Sequence, residues 1–449
     1  MKNTKKILCI CMVMAWAAAM TACGLLTEEK TVETTAAVHT KQESSAGTNG
    51  ETQSAGSETE NGTEDPAESG ATGGNTDVDE TFRQAAADFS LRLFAAGMQE
   101  EENTLLAPTS VLTALAMTAN GADGETRSQM LSVLGDALSL EEWNEALTAW
   151  NAGLPDSDTA SLSQANSIWF NSADWLTVRQ DFLDEMETLY GASLREEDFA
   201  DASAVERVNA WISENTDGKI EDMIDELDES TAFLLINAMS FDAEWETPYT
   251  TEQIGTQTFT GADGTEKEVE MLFSEEYTYL ETENAVGFVK DYAGGYRFVV
   301  LLPDEEVPIK DYVAQLTGEQ FLEILDNAQT VSVETGMPKF ETDYAAELSE
   351  ILKGMGMTDA FDVDLVDLSL MGECSDGNLV ITRVLHNTTI TVDENGTEAG
   401  AATAVEVCAE TALEETYQVV CDRPYVYAIV EAETNLPLFI GTVMEVEAE

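Results

Sequence analysis

The chain has 449 residues, 43% of them hydrophobic and 24% charged, which is ample for a large core and long enough for two or three domains. Its 87 acidic and 20 basic residues leave a formal net charge of -67. That balance argues against nucleic acid and anionic membrane surfaces as partners, because phosphate is neutralised by Lys and Arg.

The first segment reads as a targeting signal, residues 1–22. Lys2, Lys5 and Lys6 precede an apolar stretch from Ile7 to Met20 that is too short for a confident membrane span, and Thr21-Ala22-Cys23 follows. Small residues directly before a Cys are similar to the bacterial lipoprotein signal, in which Cys23 would be lipidated and the membrane touched only through that lipid. Cleavage by the ordinary signal peptidase is the alternative, since Met20 stands where Leu is usual. Several acyl chains on one Cys would anchor stably. From there to residue 78 the chain is an acidic Thr/Ser/Gly/Glu tether with too little apolar area to offset ordering entropy, and disorder is expected.

The folded domain is expected over 79–449. Phe82, Ala86, Phe89 and Leu93 fall at helical spacing, and Pro108-Thr109-Ser110 is a helix start for Val111 to Asn120. Further helical patterns run from Asp181 to Tyr190 and from Ala204 to Glu214. Strand character begins at Phe233–Ile236 and returns at Arg297–Leu302, Val331–Val333 and Val419–Val430. No internal repeat and no second linker appears, so one α+β domain is expected, with helices mostly early and strands mostly late. The signal holds Cys9 and Cys11, and Cys23 would carry lipid. Cys374, Cys408 and Cys421 then form an odd set with no CxxC, against a disulfide framework. The domain has one His, His386, because His39 lies in the tether. HExxH, P-loop and dinucleotide fingerprints are absent, and neither an enzyme, a metal nor a cofactor is expected.

An unusual pattern lies near the C-terminus. After the acidic turn Asp393-Glu394-Asn395-Gly396, the residues Thr397, Ala399, Ala401, Thr403, Val405, Val407 and Ala409 are all uncharged, while Glu398, Glu406 and Glu410 fall on the interleaved set with Gly400, Ala402, Ala404 and Cys408. With a period of two, one face could enter a sheet while the other meets water. The side chains are too small to make a core strand unaided.

This stretch resembles the reactive-loop hinge of the serpins, serine protease inhibitors that trap their target by loop insertion. Other segments match the same family in order: Asn103 to Met117, Gly121 to Met130, Asn209-Ala210-Trp211, Thr216 to Ile220, Asn237 to Phe241 with Trp245, Pro338-Lys339-Phe340, Gly356-Met357, Asp422 to Tyr425 and Phe439-Ile440-Gly441. The resemblance spans Phe82 to Val443 and implies three sheets, about nine helices and an exposed reactive loop. It implies a hinge of Glu394, Gly396, Thr397, Glu398, Ala399, Gly400, Ala401, Ala402 and Thr403. Ser110, Asn237 and His386 match the region where the central sheet parts, and Trp245 matches the site where insertion begins. Ala107 stands where a Ser is common in the family, so a hydroxyl is missing from that cluster.

Family spacing puts the bait sixteen positions after Glu394, at Glu410-Thr411, with Cys408, Ala409, Ala412 and Leu413 as alternatives. Small neighbours would suit an elastase-like protease, a literal Glu410 a glutamate-preferring one, and Leu413 a chymotrypsin-like one. The implied mechanism is suicide inhibition by a monomer: after cleavage, Thr397 to Ala409 enters the central sheet as a strand of roughly 40 Å at about 3.3 Å per residue. A non-inhibitory relative, cut as a substrate or serving as a binding module, is the rival. The expected location is the outer side of a bacterial membrane, or the medium.

Overall fold

The computed structural model describes residues 75–375, 377–397 and 417–447, with side chains from 80 onward except those at 165 and 237. The chain divides at Glu68, and the targeting segment, Cys23 and the tether up to that point lie outside the described residues. The first helix, α1 (Asn75–Gly97), starts four residues before the expected boundary at 79. After β1 (Thr104–Leu106), α2 (Pro108–Gly121) begins with Pro108 in its first turn, where a missing N–H costs no hydrogen bond. Next come α3 (Gly124–Leu134) and α4 (Leu140–Gly153), the latter closed by a capping box in which Ser139 and Glu142 satisfy each other's backbone N–H.

Strand β2 (Ala160–Asn171), β3 (Leu176–Val178), α5 (Gln180–Tyr190), β4 (Ser193–Glu197) and α6 (Ala204–Asn215) follow. A strand-rich middle begins with β5 (Phe233–Glu244) and continues through β6 (Ile254–Thr260), β7 (Glu266–Glu281), β8 (Ala285–Asp291) and β9 (Tyr296–Pro303). Helices α7 (Ile309–Gln315) and α8 (Gly318–Asp326) lead to β10 (Gln329–Pro338), β11 (Phe340–Glu347), α9 (Ser349–Met355) and β12 (Gly372–Cys374). The last strands are β13 (Leu385–Val392), β14 (Gly396–Thr397), β15 (Tyr417–Val420), β16 (Tyr425–Glu431) and β17 (Pro437–Val443).

The described residues thus make an α+β fold of nine α-helices and three sheets, in agreement with the expected serpin-type architecture. The largest sheet runs β1-β17-β16-β9-β8-β7-β10-β15, with β6 also on β7. A six-stranded sheet runs β11-β13-β14-β5-β2-β4, and β12 pairs with β3. Strands β16 and β17 read as near-continuous apolar runs because both are buried throughout, with Tyr425, Tyr427 and Phe439 among the largest fully buried side chains. Helix α8 packs so closely on α1 that a side chain on Gly318 would lie 2.3 Å from the Asp88 nitrogen.

One expectation about elements changes. The run Val419–Val430 is two strands, because Cys421 to Pro424 leaves the sheet and Pro424 lacks the N–H a central ladder needs. Helices predominate early, as expected, and the long strand among them is β2, whose twelve residues pair with β5 along eleven, from Ala160 opposite Ala243 to Phe170 opposite Phe233.

The two faces of the six-stranded sheet meet different layers. On β5, Met239, Phe241 and Ala243 face the main core with α2, while Ile236 and Ala238 join Trp169, Val208, Trp211 and Ile212 in a second cluster under α6. Strand β13 alternates in step, with His386, Thr388, Ile390 and Val392 buried.

Candidate functional site

The site is built where β13 turns back at Asp393-Glu394-Asn395-Gly396. The Asp393 carboxylate accepts hydrogen bonds from the backbone N–H of Asn395 (2.7 Å) and Gly396 (3.1 Å), an Asx turn that reverses the chain. Strand β14 then lies between β13 and β5: Thr397 pairs with Val392 on one side and Ala243 on the other, and Gly396 pairs with Glu244. A Cβ at Gly396 would stand 2.0 Å from the Ala243 carbonyl oxygen, so only Gly admits this approach. Strands β13 and β5 are joined through β14, and the sheet order gives them no ladder of their own among the described residues.

The turn is held by aromatic residues. The backbone N–H of Trp245 donates to the Asn395 carbonyl (2.9 Å), its indole Nε1 donates to the Asp393 carbonyl (2.9 Å), and the Tyr249 N–H donates to the Glu394 carbonyl (2.8 Å). Trp245 is 1% exposed and stacks on Tyr292 with ring centroids 4.3 Å apart. The Tyr292 hydroxyl lies 2.5 Å from Thr397 Oγ1. Burial pushes the Tyr292 hydroxyl well above its ordinary pKa, so it stays a neutral hydrogen-bonding group.

Charge fixes the outside of the turn. Lys339 Nζ is 2.8 Å from the Glu394 carboxylate and 3.1 Å from Glu270. The hydrogen bond from Lys339 holds the Glu394 carboxyl below its ordinary range. Beneath the rings, Lys290 is 2% exposed, pairs with Glu276 at 2.7 Å and sits 4.4 Å from the centroid of Tyr249. Ser274 donates to Glu276 as well, so the half-buried carboxylate has two partners.

Glu394, Gly396, Thr397 and Trp245 therefore come together. The seat is occupied in the uncut chain, which corrects the expectation that Thr397 enters the sheet only after cleavage: Thr397 is 1% exposed. The tight approach at Gly396 and the Tyr292 hydroxyl account for this early entry. The remaining hinge residues Glu398, Ala399, Gly400, Ala401, Ala402 and Thr403, and the candidate bond residues Cys408, Ala409, Glu410, Thr411, Ala412 and Leu413, lie outside the described residues. The described chain resumes at β15, whose Tyr417 is opposite Val333 of β10.

Further down the same sheet, His386 is 4% exposed, and its Nε2 accepts a hydrogen bond from the Ala107 N–H (3.1 Å). Burial lowers its pKa from 6.5 to about 4, so the ring is neutral. Ala107, which lacks the hydroxyl common at its position in the family, thus contributes through its backbone. Ser110 is 2% exposed in the first turn of α2; the Asn237 backbone pairs with Asn166, and its side chain lies outside the described ones. Cys374 and Cys421 are free thiols among the described residues.

Tyr292, Tyr249, Lys339 and the Lys290–Glu276 pair are the residues that sequence reasoning missed. Lys339 stands in a matched motif, Pro338-Lys339-Phe340, but nothing local to it names a carboxylate 55 positions away as its partner.

The comparisons with known proteins agree with this geometry. Residues 84–446 match the family model described as "Serpin (serine protease inhibitor)". The chain is 30% identical to alpha-1-antiproteinase of Rattus norvegicus over 385 residues, covering 82% of this chain and 91% of that protein. It is 30% identical to Serpin B6 of Pongo abelii, covering 81% and 98%. The native-state crystal structure of the thermophilic serpin tengpin is 42% identical and superposes with a TM-score of 0.78, covering 82% of this chain and 95% of that one. A turn that delivers a Gly-Thr strand between two otherwise unladdered strands is thus found in a chain that belongs to the serpin family.

Proposed function

We propose that the chain inhibits serine proteases by the suicide route, with Glu410-Thr411 as the bond attacked. The protease Ser Oγ adds to the Glu410 carbonyl carbon, the bond to the Thr411 nitrogen breaks, and the new amine takes a proton as it leaves. An ester then joins the protease to Glu410. The freed segment continues the strand begun at Gly396 and Thr397, carrying the ester-linked protease along the sheet before water can hydrolyse it. No catalytic group of this chain is needed. The intact form is a kinetic trap, since the inserted form has more backbone pairing.

The observation that carries this reading is β14 itself. Each further residue in the register set by Gly396 opposite Glu244 and Thr397 opposite Ala243 steps one residue back along β5 and one back along β13. Thr403 would then stand beside Asn237 and His386, and Val405 beside Leu235 and Val384. The uncharged parity Thr397, Ala399, Ala401, Thr403, Val405 falls on the face that β13 buries with His386, Ile390 and Val392. The charged residues Glu398 and Glu406 fall on the other face.

The test is incubation of the domain with pancreatic elastase and, separately, with a glutamyl endopeptidase. A covalent complex that survives SDS is expected with one of them, and which one forms it decides between a small-residue and a Glu bait. Clean cleavage by both, with full protease activity retained, would sink the inhibitory reading in favour of a non-inhibitory serpin. We further propose that Cys23 carries lipid and that the tether holds the inhibitor off the outer face of a bacterial membrane. Metabolic labelling with a tritiated fatty acid, lost on Cys23→Ser, checks this.

A further inference from the structure

A cavity of about 340 Å³ opens in the six-stranded sheet below His386, within the size range of small-molecule pockets. Its walls come from both layers that sandwich the sheet. Val111 and Leu115 of α2 belong to the main core, whereas Met223 and Ile224 belong to the second cluster under α6. Leu235 at the start of β5 and Val384 just before β13 form the sides. The space thus passes through the sheet at the level where β5 and β13 have no strand between them.

Several polar groups on its walls are already engaged with the chain. Thr118 Oγ1 donates to the Ala114 carbonyl (2.7 Å), and Asp228 accepts from the Ser230 N–H and hydroxyl (2.8 and 2.6 Å). Arg383 donates to the Glu226 carbonyl (3.2 Å), and His386 Nε2 accepts from Ala107 (3.1 Å). Its charged side chains, Glu226, Asp228 and Arg383, are exposed and so lie at the rim, and Glu226 and Asp228 there would repel an anion. The chemistry that fits is a neutral, rigid, apolar molecule, which gains by leaving water and makes no polar demand.

We propose that this cavity binds a small neutral apolar ligand and that its occupancy stops loop insertion. The binding half stands on the cavity alone; the second half rests on the inhibitory reading above. Continuing the register of β14 along β5 and β13 brings Val405 to Leu235 and Val384, into the same space. Ligand and strand therefore compete for one volume. A saturated protein would be cut in its loop and released as a spent substrate.

The probe is N-phenyl-1-naphthylamine, which is neutral and fluoresces when it leaves water. Titrated into the intact protein, it should show saturable binding at one site per chain. Ala114→Phe, which fills the cavity from α2, should abolish that binding. Ala232→Leu fills it from the β5 side and serves where the first variant fails to fold. Absent or non-saturable binding, or unchanged binding in a folded filled variant, overturns the site. Coupling is read on SDS gels with the protease that forms the covalent complex: at saturation the complex should fall at least about five-fold and cleaved chain should replace it. An unchanged ratio at saturation overturns the competition while leaving the binding. If neither protease forms a complex without probe, coupling is read from the melting temperature of chain nicked in the loop. A rise on nicking that saturating probe suppresses supports it, and the same melting temperature before and after nicking overturns both the coupling and the inhibitory reading, while saturable probe binding would still stand.

Discussion

At the scale of single residues, the hinge is a set of small contacts with separable consequences. Thr397 is fully buried with its hydroxyl against Tyr292, so Thr397→Arg would force a guanidinium into an apolar seat and unseat β14. We expect this variant to be cleaved by the target protease at an undiminished rate, with no SDS-stable complex. Tyr292→Phe is milder: it leaves the Thr397 hydroxyl unpaired and should cost about 1–3 kcal/mol in urea denaturation. The Glu394 carboxyl is held low by Lys339, so its contribution is present above the ordinary carboxylate value of 4.5 and is lost as pH falls through the lower one. The melting-temperature gap between the parent and Glu394→Gln should close as pH drops below about 4.5. His386 has the opposite charge type and the same direction. Its folded pKa of about 4 lies below the ordinary 6.5, so the unfolded chain takes up the proton first. Stability is full above 6.5 and declines toward pH 4, by about 3 kcal/mol if that shift is converted directly. His386→Gln keeps an acceptor for the Ala107 N–H and should remove this decline between pH 6.5 and 4.

At the scale of elements, β14 is a strand of two residues whose continuation requires β5 and β13 to part, and this predicts how cleavage changes stability. Cutting the loop at Glu410 frees a segment that can pair with β5 and β13 along their length, so the nicked chain should melt well above the intact one by circular dichroism. An equal or lower melting temperature would mean that the gap does not accept the strand. How much of this was legible beforehand differed by element. Helices α5 and α6 showed their periodicity, since each buries one stripe, while α2, buried nearly all round, showed its Pro108 start. The hinge turn and its parity were readable because they are local and periodic. Strand β2, with the sequence ASLSQANSIWFN, was not read, because its pairing with β5 rather than its own hydrophobicity makes it a strand. The break at Pro424 was legible in principle, as an imino acid inside an apolar run. Tyr292 and Lys339 were invisible for another reason: their partners lie 105 and 55 positions away, and only the closing of two sheets sets those distances. Early seating of Thr397 likewise depends on a carbonyl of β5 that no pattern in the loop itself encodes.

At the scale of the whole molecule, the dominant quantity is the charge of -67. Five of the 20 basic residues precede residue 79, and of the remaining fifteen at least twelve are engaged in ion pairs with Asp or Glu. The cations are therefore mostly spent locally, and the rest of the surface faces water as uncompensated carboxylate. Such a field keeps copies apart and destabilises the compact state by self-repulsion. Exposed ion pairs contribute little each, roughly 0–1 kcal/mol, so the repulsion should outweigh them in the salt response. Raising NaCl from about 10 mM to 150 mM shortens the screening length from about 30 Å to about 8 Å. Long-range repulsion is removed across that interval, while the buried Lys290–Glu276 pair is barely touched. We expect the melting temperature of the folded domain to rise over this range and then to flatten, a sign opposite to that of a domain held by surface salt bridges. A melting temperature that falls with added salt would mean that the twelve paired cations, few as they are, contribute more than the excess carboxylates remove.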